Sequence, residues 1–221
     1  MSTVSTAETQ SGAETRAASV AAPVAQVDPR RELIAATIGE LRERILVELT
    51  PESVAARAGR PVEDLHALFA SFPDLLVESI HAWYTQRTAP ILPIAQRHGA
   101  VAFLRANVVS NLADPALMRV LTALACIAAT PDHPLALWSQ EHSLRFHVQV
   151  QRALREDVLV GREPATMNPA RGSEQLIALY QGLHLQAMVR PSMDLLASYD
   201  RAVTRLRDGW ALTYTPPAWE L

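Results

Sequence analysis

Seven histidines and a single cysteine are the side chains best suited to catalysis or metal binding in this sequence. His142 and His147 lie on one helical stretch but five residues apart, so they share a helix face poorly and a joint metal site is not expected. Cys126 sits in the apolar run VLTALACIAA. Alone, it can form neither an intrachain disulfide nor a metal cluster, and it reads as a small buried apolar residue. There is no nucleophile elbow, glycine-rich phosphate loop, HExxH or paired-carboxylate signature. Neither enzyme activity nor a cofactor is expected.

A different chemistry is suggested by LTPESVAARAGRPVEDLHALFASFPDLL, Leu49 to Leu76. It has the rhythm of two short helices about a glycine. Arg60 is the best-placed cation at the start of the second helix, and Thr50 can both cap its helix and touch phosphate. Arg30 and Arg31, further upstream, are additional phosphate candidates, and His66 can donate to phosphate. Glu63 and Asp64 have two readings. First-turn carboxylates complement the helix dipole by about 0.3–1 kcal/mol, or they accept from cytosine N4 in a major groove. The charge balance is unusual for such a role: five arginines face eight carboxylates from Arg31 to Leu76, a net charge of −3. An acidic module gains little from counterion release.

The elements that position these residues are helices. The chain has 221 residues, 49% of them apolar, enough for a substantial core. Alanine and leucine dominate the apolar share, and no period-two alternation argues for a strand. The fold class expected is all-α. Asp28-Pro29 starts a helix whose apolar face, Ile34, Ile38, Leu41 and Ile45, runs to about Leu46. Thr50-Pro51 starts a second, stopped by Gly59. Pro61 starts a third, with Leu65, Leu68 and Phe69 on its apolar face, and Pro73 a fourth. PILPIAQRHG is a short connector with a helical turn. Longer helices are expected at about Gly99–Leu112, Pro115–Thr130, Pro134–Val160, Gly172–Val189 and Pro191–Trp210. GREPATMNPARG is a loop.

This order, with the motif at Leu49–Leu76, resembles the TetR family of bacterial transcriptional regulators. The matching residues are Thr50, Val54-Ala55, Ala58-Gly59, Leu65-His66, Phe69 and Leu75 or Leu76. The likeness extends more weakly to about Trp210, through ATPDHPLALW and LIALYQGLHLQAMVRPSMD. It implies a helix-turn-helix DNA-binding domain over 28–74 and a ligand-binding and dimerisation domain over 75–212. Residues 1–27 read as a disordered tail and 213–221 as a second tail. The partners implied are a double-stranded DNA operator, a small apolar effector and a second copy of the chain. The departures fall where DNA would lie. His66 stands where the family has a phosphate-touching Tyr, Phe72 where it has a Lys, and Pro61 where it commonly has a Ser. Phe72 then either packs or contacts DNA. A TetR-like ligand or interaction module with weakened or lost DNA binding is the alternative.

Aromatic and polar residues interleave with apolar ones on the longer helices. Trp83, Phe103, Leu121, Trp138, His142, Phe146, Tyr180 and His184 are candidates for a small-molecule pocket. Two apolar stripes suggest a subunit seam: Leu176, Leu179, Leu183 and Met188 on one helix, Leu195, Leu196, Val203 and Leu206 on the next. No stretch approaches the ~18 apolar residues of a membrane span. The N-terminal segment lacks the basic cluster of an export signal. A cytoplasmic protein is expected.

Overall fold

The computed structural model describes Met1 and residues 28–212, so both expected tails lie outside the described residues. All its regular elements are helical: α1 (Pro29–Glu43), a 3₁₀ turn (Leu46–Glu48), α2 (Pro51–Ala58), α3 (Val62–Leu68), α4 (Phe72–Thr88), α5 (Leu92–Ala113), α6 (Ala116–Ala128), α7 (Ala136–Leu159), α8 (Pro169–Val189) and α9 (Leu195–Trp210). The chain is all-α. No single described helix is long and apolar enough to cross a membrane.

The first three helices form through local signals. Asp28 accepts from the Arg30 N–H, with Pro29 in the first turn. Thr50 and Ser53 exchange side-chain and backbone bonds at 3.2 Å, closing a capping box. Gly59 ends α2 in the left-handed conformation (φ 66°), where a side chain would be strained. Leu33, Val54, Leu65, Phe69 and Leu75 then bury one small core.

α1 ends at Glu43, short of the expected Leu46. Arg44 and Ile45 are extended, and Leu46 turns into a second core with Leu76, Ile80, Trp83, Val120 and Leu124. The freed end of α1 is not left bare. Arg119 of α6 donates to the carbonyls of Leu41 and Arg42, at 3.1 and 2.9 Å. α8 starts at Pro169 rather than Gly172, because Asn168 caps it through the N–H groups of Ala170 and Arg171. α9 starts late, at Leu195, because Asp194 supplies the cap and Pro191 does not.

The largest departure is α5. The expected connector and the helix after it join into one element, Leu92–Ala113, bent at Gly99 (φ 87°, ψ 177°). Only glycine tolerates that backbone without strain. Asp157 of α7 holds the bend: its carboxylate accepts from the Ala100 N–H at 2.8 Å and from Arg162 Nε at 2.6 Å. It thereby caps the second part of α5 from a distant helix. A Cβ on Gly99 would lie 2.6 Å from both carboxylate oxygens. Phe103, Leu104, Val108, Leu154, Leu176, Tyr199 and Val203 fill the largest core around this helix.

Gly99→Ala and Asp157→Ala should each lower the unfolding free energy by about 1–3 kcal/mol, from strain in the first and an orphaned buried N–H in the second. The double variant should lose less than the sum, because removing the carboxylate also removes the steric clash. Chemical denaturation of the four proteins measures this directly. Strict additivity would show that the two groups do not interact.

Candidate ligand cavity and helix-turn-helix face

A cavity of about 470 Å³ lies between α4, α5, α6, α7 and α8, within the ~300–1,000 Å³ of small-molecule sites. One wall is a ladder on α7: Trp138, His142 and Phe146 at four-residue spacing. Trp138 and His142 stack (5.1 Å, 20°), and Tyr84 meets His142 edge-on at 4.5 Å. α6 supplies Leu117, Met118, Leu121 and Thr122 opposite. Burial, aided by the charges of Arg145 and His81, pushes the His142 ring down to about 4, so it is neutral at pH 7.

At one end of the cavity, polar groups satisfy one another. Arg87 donates from Nε to Ser110 (3.1 Å), from Nη1 to the Asp114 carbonyl (2.7 Å) and from Nη2 to the Asn111 amide oxygen (3.0 Å). The Asp114 carboxylate is 3.4 Å away. The Asn111 amide nitrogen donates to the Tyr180 hydroxyl at 2.8 Å and faces His184 Nε2 at 3.0 Å. Burial raises the Tyr180 hydroxyl and lowers His184, so both are uncharged at pH 7.

Of the residues expected at a pocket, Leu121, Trp138, His142, Phe146 and Tyr180 line this cavity. Three do not. Trp83 is buried in the core beneath α1, with Arg42 over its ring at 5.1 Å. Phe103 lies in the large core. His184 sits behind Tyr180, bonded to its carbonyl and to Asn111. Tyr84, Arg87, Asn107, Ser110, Asn111 and Thr122 are polar lining residues not expected there. For those on α5 the signal was Asn107, Ser110 and Asn111 spaced three and one apart on an otherwise apolar helix, a polar face needing a reason. Cys126 is also corrected: it is exposed and borders the cavity, because α6 turns that side away from the core. His147 is elsewhere, 3.3 Å from the Ser173 hydroxyl.

Three of the expected seam residues need the same correction. Leu176, Leu195 and Val203 are buried in the chain's own core, and Leu179, Leu183, Leu196 and Leu206 pack against it. A fully buried leucine has no surface left for a partner. On α7 and α8 the exposed large apolar side chains are Leu137, Leu144, Val148, Leu159, Leu185, Met188 and Val189. The outer face of α9 carries Arg201, Thr204, Arg205 and Asp208 instead.

On the helix-turn-helix, the arginines are already engaged. Arg60 binds Glu32 (2.6 Å) and Asp64 (3.0 Å). Arg30 forks onto Glu78, donates to the Leu68 carbonyl and lies 4.2 Å over Phe69. Arg57 bridges Glu40 and Glu43. Arg31 is freer, 83% exposed and 4.0 Å from Asp28. Glu63 and His66 are exposed on α3, Pro61 stands at its start without a side-chain cap, and Phe72 packs between two cores as the first residue of α4.

No family model matches the sequence, and no curated protein does. Solved structures do match. A TetR transcription regulator from Haloarcula marismortui superposes with TM-score 0.70 at 15% identity, over 82% of this chain and 97% of that one. A transcriptional regulator from Rhodococcus sp. Rha1 gives 0.66 at 20%, over 85% and 100%. A fatty acid degradation regulator from Bacillus halodurans gives 0.65 at 14%, over 82% and 96%. The chain has the TetR-like fold.

The neutral buried imidazole has a consequence for stability. An unfolded His titrates near 6.5, whereas His142 in the fold resists the proton until about pH 4. The unfolded chain therefore binds more protons between these values, and stability falls as pH falls through that window. His142→Phe keeps the ring stack without the titration. Its melting temperature should decline less steeply than wild type from pH 6.5 to 4.5, and an unchanged slope would contradict the burial.

Proposed function

We propose that this TetR-like chain is a ligand-responsive transcriptional regulator, a repressor that binds a palindromic operator as a dimer and releases it when a small apolar effector fills the cavity. In this reading residues 28–74 contact DNA and 75–212 bind ligand and the second subunit, in the cytoplasm, without a cofactor or an enzymatic step. One observation carries it: α6 serves both sites. Met118, Leu121 and Thr122 face the cavity, while Arg119, between them, holds the carbonyl end of α1. Asp114, just before α6, binds Arg87 of the cavity wall and Arg42 of α1. A ligand that favours one placement of α6 thus favours one placement of the helix-turn-helix. The spacing of two such units sets operator affinity.

The self-paired arginines support a second reading, a TetR-like ligand or interaction module whose DNA binding is weakened or lost. Fluorescence anisotropy on labelled duplexes tiled across the region upstream of the protein's own gene separates the two. For the regulator, binding at low salt should be specific for one fragment. Arg60→Ala should weaken it by roughly tenfold, the loss of about one charge-assisted contact. Arg31→Ala should reduce the slope of log K against log salt by about 0.9. Absence of binding to every fragment, or indifference to both substitutions, favours the second reading.

For the subunit seam, the exposed apolar side chains of α7 and α8 are better candidates than Leu176, Leu195 and Val203, which the chain buries itself. The double variant Leu144→Asp, Val189→Asp alters only exposed positions. It should shift the light-scattering mass from twice the chain mass to the 24.2 kDa of one chain. A dimer that survives both charges has its seam elsewhere.

A further inference from the structure

The charges in the cavity narrow the class of molecule that it takes, an inference that rests on reading it as an effector site. Among the described residues, Arg87 is the one formally charged side chain on its wall, and no carboxylate lines it. Arg87 is already committed through three of its five N–H groups. Its Nε and both terminal nitrogens are bonded to Ser110, Asn111 and Asp114, with the Asp114 carboxylate 3.4 Å away. A ligand carboxylate or phosphate would lose water and meet only a cation that must share itself with the Asp114 carboxylate, which makes its burial costly. A ligand ammonium would find no anion.

Several polar groups on the wall are uncommitted, among them Thr122, the Trp138 indole and Gln181, but only Tyr84 and His142 form a ring pair. The Tyr84 hydroxyl and the His142 ring make no hydrogen bond to another described residue, and only burial and distant charges act on them. They lie together, ring edge to ring face. The surrounding surface is aromatic on α7 and aliphatic on α6. Flat rings gain from the first, and any apolar surface gains from the second.

We propose that the cavity binds an uncharged, ring-bearing apolar molecule whose single hydroxyl or carbonyl group hydrogen-bonds to Tyr84 and His142. Fatty acids and other anionic amphiphiles of similar size are excluded from it. Neutral His142 can donate from one ring nitrogen and accept at the other, so it suits either ligand group.

Isothermal titration of the full chain at pH 7.5 with 2-naphthol, naphthalene, 2-naphthoate and decanoate tests this. 2-Naphthol should bind once per chain, roughly tenfold or more tighter than either carboxylate. It should also bind tighter than naphthalene, and that second preference should vanish in the double variant Tyr84→Phe, His142→Phe. Leu121→Trp, which fills the cavity, should abolish 2-naphthol binding. If that variant fails to fold by circular dichroism, Thr122→Leu on the same wall takes its place. A carboxylate that binds as tightly as 2-naphthol overturns the ligand class but leaves the cavity as a binding site. Binding that survives the filled cavity places the probe elsewhere and overturns the proposal. No binding of any of the four overturns the effector-site reading itself.

Discussion

The carboxylate of Asp114 is the constraint on which the arrangement of the two halves depends. It lies where α5 ends and α6 is about to begin, and it receives Arg42 from α1 at 3.2 Å and Arg87 from α4 at 3.4 Å. An isolated exposed pair would contribute little. This one is a shared anion among three helices, only a quarter exposed, and its backbone carbonyl takes a further bond from Arg87. Arg119 adds the carbonyl end of α1 to the same junction. The helix-turn-helix is therefore bonded to the helix that walls the cavity, in addition to sharing an apolar core with it.

The same economy of charge governs the other face. With no lysine in the chain, arginine supplies every fixed cation. Within the helix-turn-helix, Arg30, Arg57 and Arg60 are spent on Glu78, on Glu40 and Glu43, and on Glu32 and Asp64. These pairs orient α1 against α2, α3 and α4. They also lower the positive charge that a phosphate backbone would meet. Any DNA affinity must compete with these internal partners, which places its weight on Arg31 and on exchange of Arg60 between carboxylate and phosphate.

Local signals were legible wherever a cap or a stop lies beside its helix. Asp28-Pro29, Thr50 with Ser53, and Gly59 act within a few residues, and they mark the first helices correctly apart from the early end of α1. Asn168-Pro169 was equally local, yet in a proline-rich stretch it read as loop. The bend of α5 was not legible. Gly99 looks like a helix start, and the group that makes it a bend, Asp157, is far away in sequence. Five of the cavity's lining residues were visible as polar and aromatic interruptions of apolar helices. Trp83 and Phe103 gave the same signal and are core, because periodicity marks an inward face without saying whether that face meets a neighbour or a void.

Sequence by itself determined the all-α class, the helix-turn-helix skeleton, the acidity of that module and the interleaved character of the long helices. All of these follow from residue type and spacing within one or two turns. Only the tertiary structure decided which carboxylate each arginine takes, which leucines stay exposed, and where the cavity lies. Those depend on contacts between helices dozens of residues apart. Arg60 with Glu32, Asp157 with Ala100, and Asn111 with Tyr180 are pairs that no local pattern encodes. The stripe of Leu176, Leu195 and Val203 shows the reason most plainly. An apolar face states that something must cover it, and packing alone settles whether that is the chain itself or its copy.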